Sequence, residues 1–346
     1  MTDHRTRTPV PLAVRSAAWY LPEREVPVDE LAVRDETERT TRAAMGIETV
    51  RADEQLGAVD LCERAARTAL DGAGIGADAL DALVMVESRA PETLLSSEVT
   101  RLQDTLGASR ATSFTVGGLG CVSVTPALLA ARGLLAADPD VRYVLAVHGS
   151  KPAAATRYRH PVTVNGDGGQ ALLLDRGPGR VRVLDLLQRT DGRYWDLFHV
   201  AYRDLPTEQW REECTDAGTY SFRLALETRS RFAALLEELL GRNGLGRADI
   251  SGYVSHNLSA GSFTFTEESL DIALHPVCRE NLRRYGHLGP NDVFLNLYTA
   301  LERGEFAPGD RVVLLNASPV AAWSLVLVEV GPEGPGGSRG PGEGAR

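Results

Sequence analysis

The sequence predicts an α/β fold of stacked layers, assembled from two copies of one unit. Three observations carry this. Short apolar runs of strand type alternate with stretches of helical period. One helix–turn–strand pattern occurs twice in the same order. The chain has 346 residues, enough for two units of about 150–170 residues each.

The elements follow in order. Residues 1–9 are polar, contain no hydrophobic signal-peptide core, and are expected to be disordered. Leu61 to Ala73 places apolar residues at helical spacing, and Leu80 to Glu87 (LDALVMVE) is a short strand-type run. Pro126 to Ala136 is predicted as a helix and Val141 to Val147 as a strand. The segment ALLAARGLLAADPDVRYVLAVHGS (Ala127 to Ser150) is echoed by LYTALERGEFAPGDRVVLLNASP (Leu297 to Pro319). Each is a helix ending in Arg-Gly, a short acidic turn, and a strand ending in small residues. Each is followed by a further apolar strand, GQALLLD from Gly169 and WSLVLVEV from Trp323, and Leu80 to Glu87 has its counterpart in Ile250 to Ser255. The expected halves are residues 10–178 and 179–330. Residues 331–346 are too rich in Gly and Pro to order.

Composition narrows the function. A net charge of -10 with no basic cluster argues against nucleic acid as a partner. No apolar run is expected to span a bilayer, which places the protein in the cytoplasm and off the membrane. The four cysteines, Cys62, Cys121, Cys214 and Cys278, are scattered without CxxC spacing, so neither a metal site nor a disulfide framework is suggested.

Only Cys121 departs from the pattern of a small buried hydrophobe. In TVGGLGCVSVTPALLAARG a β-branched segment runs through glycines to the cysteine and then into a helix. A thiol at a helix N-terminus meets backbone N–H groups and the positive end of the dipole, and both favour the nucleophilic thiolate. Of the seven histidines, His256 ends the strand-like GYVSHN, and His287 lies in RRYGHLGPND just before the second-half helix. In the duplicated pattern His287 stands near the place Cys121 holds in the first half, so the two helix N-termini could meet. Asp292, five residues on, could orient the imidazole or cap the helix. His199, in the aromatic YWDLFHVAY, is either a core histidine or a substrate contact. His148 and His160 read as loop residues. The acyl or acceptor pocket is expected to draw on the segments Lys151 to Pro161 and Arg193 to Trp210.

Taken together, GLGCVS, NGDGGQALLL (Asn165 to Leu174), SHN (Ser255 to Asn257), YGHLG (Tyr285 to Gly289) and ALERGEFAPGDRVVLL resemble the β-ketoacyl-acyl-carrier-protein synthase III family over nearly the whole chain. The resemblance implies a thiolase fold: five layers, αβαβα, two pseudo-symmetric βαβαβαββ halves, and a homodimer. It maps the nucleophile onto Cys121 and the active-site histidine onto His256. The family's asparagine in YGN, which completes a Cys-His-Asn set, is replaced here by His287. A histidine backed by Asp292 offers a base in place of a hydrogen-bond donor, and a base suits an incoming hydroxyl, amine or thiol. This pattern resembles the acyltransferase branch of natural-product (antibiotic, polyketide) pathways, with His256 in a secondary, carbonyl-contacting role. The family's coenzyme-A clamp positions hold Thr40 and Ala44, which favours an acyl carrier protein as donor and a small molecule as acceptor, with no cofactor. The glycine-rich oxyanion loop of the family is replaced by NASPVAAW (Asn316 to Trp323); Pro319 cannot donate, which makes Ser318, together with Asn257, a candidate substrate contact. The alternatives are a decarboxylating condensing enzyme, a non-catalytic carrier-binding partner, and a thioesterase-like hydrolase.

Overall fold

The computed structural model describes residues 10–88, 90–93 and 95–332. The expectations for residues 1–9 and for 333–346 fall outside the described residues. Gly331, expected in the disordered tail, donates its N–H to the Arg180 carbonyl at 2.8 Å.

Nine strands form one sheet: β1 (Ala13–Tyr20), β2 (Ala82–Val86), β3 (Thr112–Val116), β4 (Val144–Ser150), β5 (Gly168–Asp175), β6 (Val181–Thr190), β7 (Gly252–Ser255), β8 (Arg311–Ser318) and β9 (Ala322–Val330). Their order is β7-β8-β9-β6-β1-β5-β4-β2-β3. Among the described residues, eight α-helices accompany them: α1 (Glu36–Ala43), α2 (Ala58–Ala73), α3 (Glu98–Leu106), α4 (Val124–Ala137), α5 (Ala225–Asn243), α6 (Ala260–Leu270), α7 (Val277–Tyr285) and α8 (Asp292–Glu302).

The duplication is explicit in the pairing. In the first half β2 runs parallel to β3 and β4, and β5 is antiparallel to β4 and β1. In the second half β7 runs parallel to β8, and β9 is antiparallel to β8 and β6. Even the irregularities repeat, with a register shift in β1 between Val14 and Ser16 and in β6 between Val183 and Asp185. The copy is incomplete at one place. The strand equivalent to β3 is reduced in the second half to an isolated bridge between Tyr253 and Leu274. The two halves join where β1 meets β6, through Ala13 opposite Arg182 and Val14 opposite Val181.

Layering follows from which faces are apolar. Alternate residues of β2 point to opposite sides, Ala82, Val84 and Val86 into one core cluster and Leu83 and Met85 into another. The second cluster lies under α2, whose Val59, Cys62, Ala65, Ala66, Ala69 and Leu70 recur at helical spacing. That contact is close. A Cβ on Gly149 or Gly169 would lie 1.8 Å from the Ala58 carbonyl oxygen or 1.9 Å from that of Leu61, so only glycine permits it. The first cluster is shared. It joins α4, α8 and α5 to both halves of the sheet. Every residue of α8 from Asp292 to Leu301 is buried, as a helix in the middle layer requires.

One expectation needs correction. The segment Gly120–Ala137 does reach the length and mean hydropathy, 1.5, of a membrane-crossing helix. Half of it is buried inside the protein, and Arg132 within it donates to the Val183 carbonyl at 2.9 Å. Its buried face, with Val124, Ala127, Leu128, Ala131 and Leu135, packs in the core of the first half.

Candidate active site

The two helices that begin at Val124 and Asp292 occupy corresponding places in the two halves, and the short turns before them, Gly120–Ser123 and Gly289–Asn291, pack together. Cys121 lies in the first turn. Gly120, with φ +52°, brings the chain round, and a Cβ there would fall 2.5 Å from the Ser318 hydroxyl oxygen. The Cys121 carbonyl accepts from Asn316 Nδ2 at 2.6 Å, which pins the turn to the end of β8. His287 is held as firmly. Its N–H donates to the Val164 carbonyl at 2.9 Å, and its carbonyl accepts from the Gly166 N–H at 3.1 Å. Gly286, with φ +62°, makes this possible, since a Cβ there would lie 2.6 Å from the Val164 oxygen.

The side chains then meet. Cys121 Sγ is 3.0 Å from His287 Nε2. His287 Nδ1–H donates to Asp292 Oδ2 at 2.5 Å. Cys121 is 2% exposed, and His287 and Asp292 are fully buried. The carboxylate is itself tethered, Oδ1 accepting from the Leu288 N–H at 2.8 Å and Oδ2 from the Asn257 N–H at 2.9 Å. A buried carboxylate with several donors stays ionised and fixes its imidazole with the proton on Nδ1. Nε2 then faces the sulfur as an acceptor, which is the arrangement for drawing the thiol proton and holding thiolate beside imidazolium.

A family model for the C-terminal part of 3-oxoacyl-[acyl-carrier-protein] synthase III matches residues 240–330, the span that carries His256, His287 and Asp292. A curated relative from Ruegeria pomeroyi, named β-ketoacyl-[acyl-carrier-protein] synthase III, is 29% identical over 91% of this chain and 98% of its own length. The chain is similar to ketosynthase III enzymes over most of its length. A second relative of that name, from Cereibacter sphaeroides, is 28% identical over the same share of each chain. Among solved structures, 3-oxoacyl-(acyl carrier protein) synthase III from Pseudomonas aeruginosa superposes with a TM-score of 0.77 at 21% identity, covering 93% of this chain and 99% of that one. A protein titled ChlB3, an acyltransferase, superposes with a TM-score of 0.77 at 22% identity, covering 94% of this chain and all of that one. These likenesses establish the thiolase fold.

His256 is a different kind of histidine from His287. Burial, then the neighbouring His287, lower its pKa to about 3, with only a backbone contact at Leu315 opposing. It is therefore neutral at neutral pH. Its Nε2 has no protein hydrogen-bond partner. It faces a second cavity of about 240 Å³ that Ser318 also lines. Asn257 supports the site from behind, its Oδ1 accepting from Asn296 Nδ2 at 2.8 Å and its N–H holding Asp292. Burial also distinguishes the other cysteines: it pushes the Cys62 thiol far up, Cys278 up to about 12, and Cys214 up.

His199 does not join this group. It is exposed, in a short strand (Phe198–Val200) of a separate small sheet. Its neighbours Val200, Tyr202, Arg203 and Trp210 line a groove with Ala90 and Ala153, not with Cys121. Among the described residues, none of the segment Arg193 to Trp210 lines the cavity at Cys121. His148, which reads as a loop residue, is buried in β4, its Nδ1–H donating to the Val86 carbonyl at 3.0 Å. Two residues are not singled out for these roles by the sequence and take them in the fold. Asn316 anchors the nucleophile's turn, and Arg159 lines the cavity that opens on Cys121. Arg159 sits within the segment Lys151 to Pro161, but one arginine among several has no local mark.

Proposed function

We propose that this enzyme moves an acyl group from a thioester on an acyl carrier protein, through acyl-Cys121, to a hydroxyl, amine or thiol of a small-molecule acceptor. The observation that supports it is a base in contact with the nucleophile: His287 Nε2 at 3.0 Å from Sγ, with Asp292 behind it. His287 first takes the Cys121 proton. The thiolate attacks the thioester carbonyl, the carbon–sulfur bond to the carrier breaks, and the imidazolium protonates the departing thiol. His287 Nε2 then takes the proton of the acceptor as it attacks acyl-Cys121, and the sulfur leaves as thiolate beside the renewed imidazolium. The sequence is balanced and uses one residue as acid and base in turn.

The second reading, decarboxylative condensation, is favoured by the name that the Ruegeria and Cereibacter relatives carry. Here the neutral His256, with a ring nitrogen unspent, would contact the carbonyl of the second substrate. One experiment separates the two. Acyl-Cys121 enzyme is offered either malonyl carrier protein or a panel of hydroxyl and amine acceptors. Product without carbon dioxide supports acyl transfer; carbon dioxide release that tracks product replaces it with condensation. Absence of any acyl adduct on Cys121 after incubation with loaded carriers would falsify both.

A further inference from the structure

The cavity lined by Cys121, about 260 Å³, has among its described residues five other side chains of polar type, Glu87, Ser88, Ser123, His148 and Arg159; the other described residues of its wall are glycines and Pro290. Among the described residues, no Leu, Ile, Val or Phe lines it. An alkyl chain placed here would leave water for a wall of hydrogen-bonding groups, gaining little from burial and covering donors and acceptors it cannot satisfy. The volume falls below the roughly 300–1,000 Å³ of sites for drug-sized ligands, which limits the occupant to a short group.

Arg159 gives this wall its chemistry. It lies on a two-residue strand, Tyr158–Arg159, whose partner across the small sheet is Glu212. Its Nε donates to Glu212 Oε2, and the pair is nearly buried, with side chains 11% and 7% exposed. Its guanidinium faces the nucleophile. Burial pulls its pKa down, but the Glu212 carboxylate and the Cys121 sulfur together carry it above its usual value. Arginine is the residue suited to such a place, always charged and with donors to spare after one carboxylate contact. When the sulfur becomes acylated, its negative charge is gone. The guanidinium then faces the acyl chain, and its charge is already balanced by Glu212. That favours a neutral acceptor atom over a carboxylate, and the Glu87 carboxylate in the same wall adds to the preference.

We infer that the acyl group carried on Cys121 is short and bears a neutral oxygen function, hydroxyl, keto or amide, which accepts a hydrogen bond from Arg159. This rests on the proposed acyl-Cys121 reading and specifies its substrate class. The test uses N-acetylcysteamine thioesters of three acids: butyric, 3-hydroxybutyric and, as hemisuccinate, succinic. Loading of Cys121 is followed by intact mass. The 3-hydroxybutyryl ester is expected to load on the order of tenfold faster than either of the others, the worth of one charge-assisted hydrogen bond. In Arg159→Met that ratio falls to near one, whatever happens to the absolute rates. Equal or faster loading of the butyryl ester by the unaltered enzyme overturns the inference while leaving acyl-Cys121 intact, and needs no variant to fold. Fastest loading of the succinyl ester overturns the neutral assignment. Failure of all three esters to load removes the acyl-enzyme reading and the inference with it.

Discussion

The imidazoles of His256 and His287 stand nearly edge to face, 6.4 Å between centroids and 69° between planes, and only His287 has a carboxylate behind it. The two rings divide the work by charge. His287 can become imidazolium against Asp292, and its positive state disfavours a second charge on His256.

This division makes stability depend on pH in a definite direction. His256 titrates near 6.5 when unfolded and near 3 when folded. Between those values the unfolded chain binds the extra proton, so the contribution of neutral His256 is full above about pH 6.5 and is lost as pH falls towards 3. One such group changes stability by at most about 1.4 kcal/mol per pH unit. Denaturant midpoints taken at intervals from pH 7 to pH 4 should fall less steeply for His256→Asn than for the unaltered protein. Parallel curves would show that this histidine is not held neutral.

The sulfur next to an imidazole should react first. With iodoacetamide at neutral pH, Cys121 is expected to be alkylated before Cys62, Cys214 and Cys278, whose thiols burial makes less acidic. Peptide mapping at short times reads this directly. His287→Ala should slow labelling of Cys121 at pH 7 and leave the order among the other three unchanged.

Asp292→Asn keeps the shape and removes the charge. The imidazolium loses its counter-charge, and acyl transfer should drop by about 10²–10⁴-fold, the usual worth of a positioned acid–base group. One of the two oxygens that accept from Leu288 and Asn257 becomes an NH₂ group, so the variant should also lose about 1–3 kcal/mol of stability. Single-turnover transfer from pre-acylated enzyme and a urea melt measure the two effects separately. Transfer within a few-fold of normal would remove Asp292 from the mechanism.

Gly169→Ala tests the packing of α2. The added methyl would lie 1.9 Å from the Leu61 carbonyl oxygen, so the helix must lift from β5. A loss of about 1–3 kcal/mol or more is expected, read as a lowered denaturant midpoint. An unchanged midpoint would mean that α2 rides more loosely than its contacts indicate.

Much of this was legible in the sequence because the signals are local. The alternation of β2, the helical spacing of α2 and the repeated helix–strand pattern around Ala127 and Leu297 are set by near neighbours and survive into the structure with shifts of a few residues at their ends. The convergence of Cys121 with His287 was legible because duplication supplies a long-range rule that a single copy lacks. The remainder depends on contacts between distant segments. His199 looks buried in an aromatic run, yet it lies on a strand whose outward face takes it to solvent. Arg159 looks like a surface arginine until Glu212, 53 residues away, is brought to it. The apolar stretch from Gly120, expected not to span a bilayer, reaches the length and hydropathy of a span, and half of it is covered by protein instead.

The separation of the interior into two apolar clusters has a practical consequence. The spacing of sulfur and imidazole is fixed by the cluster common to both copies, whereas the one beneath α2 and α3 touches only the first. An engineer wanting a hardier catalyst therefore has a place to work: tightening or trading side chains in that outer compartment should lengthen the life of the folded molecule while leaving the turnover of each molecule as it was.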